Sequence, residues 1–165
     1  MRHVLVAIVV VFALTLPAPL GAGTTTGTVS VSVSVAAIAK LTLSGTTVTF
    51  PNADPDTMPS IPASEGALTI AAKARTATGA AVTLTVIASG DLMSAGNTIP
   101  VTNVSWTVTG AGFVAGTLSK TAARTVGNWT GPGSRTGTQT YRLANNWSYR
   151  VGVYSTTATY TLTAP

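Results

Sequence analysis

The stretch Val29-Ser30-Val31-Ser32-Val33-Ser34-Val35 places an apolar side chain at every second position. Successive side chains of a β-strand point to opposite faces, so this alternation is typical of a strand with one buried and one solvated face. The same period recurs at residues 82–86, 104–108 and 157–163, with threonine as the usual polar partner. Threonine suits the exposed face of a sheet because its side chain is already restricted at χ1.

Shorter alternating pieces lie at residues 41–43, 48–50 and 68–75, and we find no helical period of 3.6 after residue 23. Residues 77–79, Ala-Thr-Gly, predict a hairpin turn, and two stretches rich in turn residues predict long surface loops at 52–64 and 128–137. The sequence therefore predicts an all-β, antiparallel sandwich, immunoglobulin-like, with about seven to nine strands.

The first 23 residues have the three parts of a secretory signal peptide. Met1-Arg2-His3 is positively charged, residues 4–16 are apolar except for Thr15, and residues 17–23 are proline and small residues except for Leu20. The apolar run is shorter than the roughly 20 residues that a membrane-spanning helix needs. We therefore expect a signal peptide at 1–23, a single mature domain at 24–165 without a membrane anchor, and a location in the periplasm, at the cell surface or in the medium.

The composition excludes most catalytic machinery. The chain has no cysteine, its one histidine is His3, and its four acids are Asp54, Asp56, Glu65 and Asp91. A histidine base, a thiol nucleophile and a His/Cys metal site are therefore absent from the mature chain. We predict that the protein is not an enzyme and uses no cofactor.

Two arrangements of acids are weighed against this prediction. Glu65 and Asp91 have the chemistry of a glycosidase pair, but each is predicted in a separate loop. The segment Asn52-Ala53-Asp54-Pro55-Asp56 alternates oxygen-bearing side chains as calcium loops do, although it lacks the turn glycine and the later bidentate acid. Asp and Asn before proline are ordinary turn formers, so the sequence leaves metal binding by this loop open.

The mature chain carries eight lysines and arginines, which are dispersed along the sequence without two adjacent bases. Arg135, Arg142 and Arg150 fall near tyrosines and tryptophans, but no compact basic motif predicts a nucleic-acid partner. Trp129 and Trp147 adjoin polar, glycine-rich segments. They either cap the ends of the sandwich or stack on sugar rings, which gives the alternative function of a monomeric carbohydrate-binding or adhesive module whose partner is a surface glycan.

The C-terminal stretch Gly152-Val153-Tyr154 followed by the threonine-rich alternation up to Thr163 resembles the closing motif of spore coat protein U-like domains and the last strand of chaperone–usher pilins. The alternating valines a few residues past the leader resemble the donor strand of such subunits. The resemblance covers about the first and last 15 residues of the mature chain, and the chain lacks the cysteines of many coat protein U-like members.

The resemblance implies a structural subunit of a surface appendage or coat, completed by a strand from a neighbouring subunit. Val29, Val31, Val33 and Val35 would then form the assembly strand, because an uncharged alternating strand without proline pairs readily with another chain. The other interpretation is that these valines belong to the first strand of the chain's own sandwich. The sequence leaves both interpretations open.

Overall fold

A computed structural model describes residues 21–165 of the chain. The chain divides into two units, Met1–Val33 and Ser34–Pro165. Residues 1–20, which hold most of the predicted signal peptide, lie outside the described residues. Residues 21–33 form no regular secondary structure. In residues 21–165, no helix combines the length and hydropathy that a membrane span requires.

The second unit, Ser34–Pro165, is built from ten strands and one turn of 3₁₀-helix at Val101–Asn103. The strands are β1 (Ile38–Leu43), β2 (Ser60–Arg75), β3 (Ala81–Ala88), β4 (Leu92–Ser94), β5 (Asn97–Ile99), β6 (Val104–Thr109), β7 (Gly116–Thr117), β8 (Arg124–Thr130), β9 (Gly133–Ala144) and β10 (Ala158–Thr163). The prediction of an all-β fold is confirmed, and the strand count exceeds the expected seven to nine because β4, β5 and β7 are short.

All strand pairs are antiparallel. One sheet has the order β1-β2-β9-β6-β7, a second has the order β10-β3-β8, and β4 pairs with β5 alone. The predicted alternation places one face of each strand in a core that the two larger sheets share. The largest fully buried aliphatic side chains of that core are Ile70, Val82, Leu84, Val86, Val101 and Val126.

The structure corrects three sequence-based predictions about turns and loops. A turn does follow β2 at residues 78–79, but it is not a hairpin, because β2 and β3 belong to different sheets. The predicted loop at 128–137 is mostly strand, since β8 ends at Thr130 and β9 begins at Gly133. Gly131 takes a positive φ of 75°, which lets the chain cross between the sheets in two residues. The predicted loop at 52–64 ends at residue 59, because β2 begins at Ser60.

Residues 29–35 are not the first strand of the chain's own sandwich in this structure. The first strand begins at Ile38, and residues 29–35 lie in no strand. The side chains of Val29, Val31 and Val33 are 88, 91 and 86% exposed, and that of Val35 is 61% exposed. Alternation thus identified a segment that is suited to strand pairing. It did not show whether the same chain provides the partner strand.

Candidate functional site

Strands β1 and β10 are the edges of their sheets on one side of the fold. β1 pairs only with β2, and β10 pairs only with β3. Cα atoms of β1 and β10 approach within 8 Å of each other, yet no ladder hydrogen bonds join these two strands. We call the gap that they border the open seam.

The open seam leaves apolar side chains half-exposed. The inward positions of β10 are Ala158, Tyr160 and Leu162, and none of them reaches the full burial of the inward row of β3. Across the seam, Leu41 and Leu43 of β1 pack on the core and remain partly exposed. The period of two therefore places an apolar row on each border, and both rows lack a covering strand.

The other side of the fold is closed by backbone hydrogen bonds. Residues 110–114 run beside β8, where Val114 N–H donates to the Val126 carbonyl and Asn128 N–H donates to the Gly112 carbonyl, both at 2.8 Å. The indole N–H of Trp106 donates to the Val114 carbonyl at 2.9 Å and fixes this segment to β6. The contrast shows that the open seam belongs to one side of the fold and is not a general property of its edges.

A buried polar network lies where β10 faces the five-stranded sheet. The Tyr160 hydroxyl donates to Oε1 of Gln139 at 2.6 Å, so the Tyr141 hydroxyl must donate to the oxygen of Tyr160 in the contact that joins them. Burial raises the pKa of Tyr141 and of Tyr160, and proximity to Tyr141 raises that of Tyr160 further. Nε2 of Gln139 is buried without a partner. The network anchors β10 to β9 across the core.

Residues 34–37 precede β1 without turning back along it. The carbonyl of Ala36 accepts a hydrogen bond of 2.8 Å from Nε of Arg75, whose backbone is paired with Ile38 at the end of β2. A two-residue hairpin at Ala36-Ala37 would require turn conformations that favour Asn, Asp or Gly and disfavour alanine. The Ala36-Ala37 dipeptide is therefore poorly suited to a two-residue hairpin before β1.

The two tryptophans predicted as stacking candidates occupy different environments. Trp129 lies in β8 and is only 7% exposed, so other parts of the fold cover its ring faces. Trp147 lies in the loop before β10, is 68% exposed and donates its indole N–H to Oδ1 of Asp56 at 3.0 Å. Of these two rings, that of Trp147 is the one that a ligand can reach.

The loop with Asp54 and Asp56 is organised by its own hydrogen bonds. Oδ1 of Asp54 accepts the backbone N–H of Asp56 at 2.9 Å, as an aspartate does when it forms a turn. The amide of Asn145 donates to the carbonyls of Ala53 and Met58 and ties the loop to the end of β9. Within residues 21–165, no three His, Cys, Asp or Glu residues form a group that could hold a metal ion.

Glu65 and Asp91 make separate contacts. Oε2 of Glu65 accepts the Thr49 N–H at 2.8 Å, and this hydrogen bond lowers the pKa of Glu65. Asp91 pairs with Lys120 at 2.5 Å and accepts the Val101 N–H at 3.0 Å; the contact with Lys120 is the main cause of its lowered pKa. Each carboxylate has a local structural partner, and the contacts do not bring the two together.

The three arginines noted beside aromatic residues do not form one face. Arg135 and Arg142 lie in β9 at positions of opposite parity, so their side chains project from opposite sides of the strand. Arg150 lies in the following loop, where its carbonyl accepts the Tyr154 hydroxyl at 2.9 Å.

No family model matches this chain, and no curated protein matches it either.

Sequence reasoning named the valines but missed the residues that border the open seam. Leu41, Leu43, Tyr160 and Leu162 were expected as ordinary inward positions, because alternation is the same whether or not a neighbouring strand covers them. One signal in the sequence pointed to these residues. The alternation extends over residues 29–43, whereas the edge strand β1 contains only Ile38–Leu43.

Proposed function

We propose that this protein is a secreted, non-enzymatic subunit of a cell-surface assembly, such as a pilus or a coat. In the assembly, residues 29–35 of one subunit occupy the open seam of the next. The fold would be an immunoglobulin-like sandwich whose missing edge strand comes from its neighbour. The observation that carries the proposal is the coexistence of exposed alternating valines with an uncovered apolar seam in the same chain.

The two features are matched in length and chemistry. β10 presents six residues to a new neighbour, or about 20 Å of strand, and residues 29–35 extend over about 23 Å. A strand placed there would bond its backbone to a sheet edge and direct its valines towards Leu41, Tyr160 and Leu162. Each valine contributes roughly 1.5–3 kcal/mol when it becomes fully buried. The serines would face solvent, as their polarity requires.

Edge pairing also accounts for the absence of the residues that normally protect a sheet edge. Monomeric proteins protect a sheet edge with prolines, inward charges or bulges, and neither β10 nor residues 29–35 contain a proline or a charged residue. Such unprotected edges are the surfaces used when an extended segment adds a strand to a sheet.

The test is a comparison of two charge variants of the mature protein. Val31→Asp/Val33→Asp places charges on the face that enters the seam, where burial is unfavourable. The control Ser30→Asp/Ser32→Asp adds the same charges on the opposite face of the same segment. We expect the first variant to be monomeric with an unchanged melting temperature, and the second to assemble like the unaltered protein in size-exclusion chromatography with light scattering.

A deletion variant tests the seam directly. The protein without residues 24–35 should bind a synthetic peptide of residues 28–36 and should fail to bind the same peptide with Val31→Asp and Val33→Asp. Unaltered protein that stays monomeric at high concentration, together with a deletion variant that ignores the peptide, would refute donation. Neighbouring genes for a periplasmic chaperone and an outer-membrane usher would support it.

The alternative function is carbohydrate binding by a monomer, which the exposure of Trp147 favours. Its ring is fixed by the hydrogen bond to Asp56 and leaves a face open for stacking on a sugar. Glycan-array binding that disappears with Trp147→Ala, persists with Trp147→Phe and occurs in a protein that remains monomeric would favour this function over assembly.

A further inference from the structure

We propose that the outer face of the five-stranded sheet binds an acidic polysaccharide, and that Lys40, Lys73 and Arg75 hold its carboxylate or sulfate groups. This face points away from the core, so the proposal stands independently of strand donation. Its charged residues were dispersed in the sequence, and sheet pairing brings them together.

The central observation is that two lysines lie directly opposite each other. Lys40 of β1 and Lys73 of β2 are paired residues of an antiparallel ladder, and both are exposed. Side chains at directly opposed positions begin roughly 5 Å apart, and like charges there destabilise the sheet. Arg75 lies two residues beyond Lys73 on the same face. The described residues place no acid in an ion pair with any of these three cations.

Hydroxyl groups continue the face beyond the cations. The residue paired with Lys73 on β9 is Ser134, and the outward positions that follow it along β9 are Thr136, Thr138, Thr140 and Arg142. On β6, Thr107 is paired with Thr140 and Thr109 with Thr138. The row from Ser134 to Arg142 extends for about 27 Å, so several sugar rings could lie along it. Lys73 lies beside its Ser134 end, Arg142 forms its other end, and hydroxyls lie between them.

This combination fits an acidic polysaccharide better than it fits a nucleic acid. Threonine hydroxyls donate to and accept from sugar hydroxyls, while lysine and arginine attract the acidic groups. Proteins that hold single-stranded nucleic acids add aromatic side chains on which bases stack. The outward positions of β1, β2, β9 and β6 within their mutual pairings carry no aromatic residue. Glu65, the acid of β2, is held by Thr49 at the bulge between Pro62 and Ala67.

The probe is polygalacturonate at low salt, with uncharged dextran and duplex DNA as comparison polymers. We expect the mature protein to bind polygalacturonate, to ignore dextran and to bind DNA at least tenfold more weakly. Lys40→Gln/Lys73→Gln should weaken binding to polygalacturonate at least tenfold. The control Arg124→Gln/Arg150→Gln removes the same charge from elsewhere and should change binding less than threefold. Arg124 lies on the other sheet and Arg150 lies in a loop.

A second variant tests the threonine hydroxyls of β9. Thr136→Val/Thr140→Val keeps side-chain size and removes two hydroxyls, and we expect threefold to tenfold weaker binding with an unchanged melting temperature. Equal loss in both charge-neutralised pairs would show that net charge alone attracts the polymer and would overturn the proposal. Absence of binding at low salt, or tighter binding to DNA than to polygalacturonate, would overturn it as well.

Discussion

The Tyr160 hydroxyl donates a hydrogen bond of 2.6 Å to Oε1 of Gln139 and joins the two large sheets through a contact between polar side chains. Gln139 is fully buried at the centre of β9, while Tyr160 lies on the strand that borders the open seam. The position of β10 therefore depends on this network as well as on apolar packing, because β10 has a ladder partner on one side alone.

We expect Tyr160→Phe to destabilise the protein by about 1–3 kcal/mol, because it leaves the buried carbonyl oxygen of Gln139 and the Tyr141 hydroxyl without their partner. Urea unfolding followed by fluorescence measures the change. The triple variant Tyr160→Phe/Tyr141→Phe/Gln139→Met should recover part of the loss, since it removes all three polar groups together. A triple variant less stable than the single one would contradict this account.

Stability should decline at alkaline pH. Burial raises the pKa of Tyr141 and of Tyr160 above the ordinary value of about 10, so both stay protonated in the folded protein. Above pH 10 the unfolded chain releases protons that the folded chain retains, which favours unfolding by up to about 1.4 kcal/mol per pH unit for each tyrosine. Stability is thus full below pH 10 and falls above it. Tyr141→Phe/Tyr160→Phe should show a shallower decline in denaturant titrations from pH 9 to 11.

The closed side of the fold depends on Gly137. A Cβ at this position would lie 2.6 Å from Cδ2 of Phe113 and would also meet the carbonyl oxygen of Thr109. Backbone cannot yield as a flexible side chain does, so Gly137→Ala should destabilise the protein by about 2 kcal/mol or more. Gly90→Ala is the control, since its Cβ meets nothing within 4 Å and Gly90 has no positive φ. Thermal unfolding that shifts equally for both would contradict the prediction.

Removal of one opposed lysine should stabilise the free protein. Lys73→Thr relieves the repulsion from Lys40 and adds a residue that favours strands, for a gain of roughly 0.2–1 kcal/mol. High salt screens exposed charges, so the gain should shrink as salt rises. Chemical denaturation at low and high ionic strength measures both effects. A variant that loses stability at low salt would show that the lysine pair is not a source of repulsion.

Alternation in the sequence predicted the fold class and most inward residues, because burial of one strand face imposes a period of two. Val82, Leu84 and Val86 were expected to face the core and are fully buried. The same rule does not specify neighbours. The turn residues at 77–79 predicted a hairpin after β2, whereas they connect two sheets. Alternation could not distinguish the uncovered inward row of β10 from the covered row of β3.

The sequence predicted one candidate site and not the other, because alternation is a local pattern and does not specify which strands are neighbours. Val29–Val35 alternation is local, so the assembly strand was named from the sequence, although its function remains a proposal. The juxtaposition of Lys40 and Lys73 depends on the register between two strands and cannot be read from either segment. Trp129 and Trp147 have similar polar surroundings in sequence, and only the fold distinguishes the buried ring from the exposed one.

The sheet order determines how the chain reaches its native state. Two ladders join residues that are far apart in the chain: Thr83 of β3 pairs with Thr163 of β10, and Ile70 of β2 pairs with Gly137 of β9. Closing these long loops before the two ladders can form slows folding to roughly milliseconds to seconds. During that interval the alternating apolar segments are all available for pairing between molecules, residues 29–35 among them. Refolding yield should therefore fall as protein concentration rises.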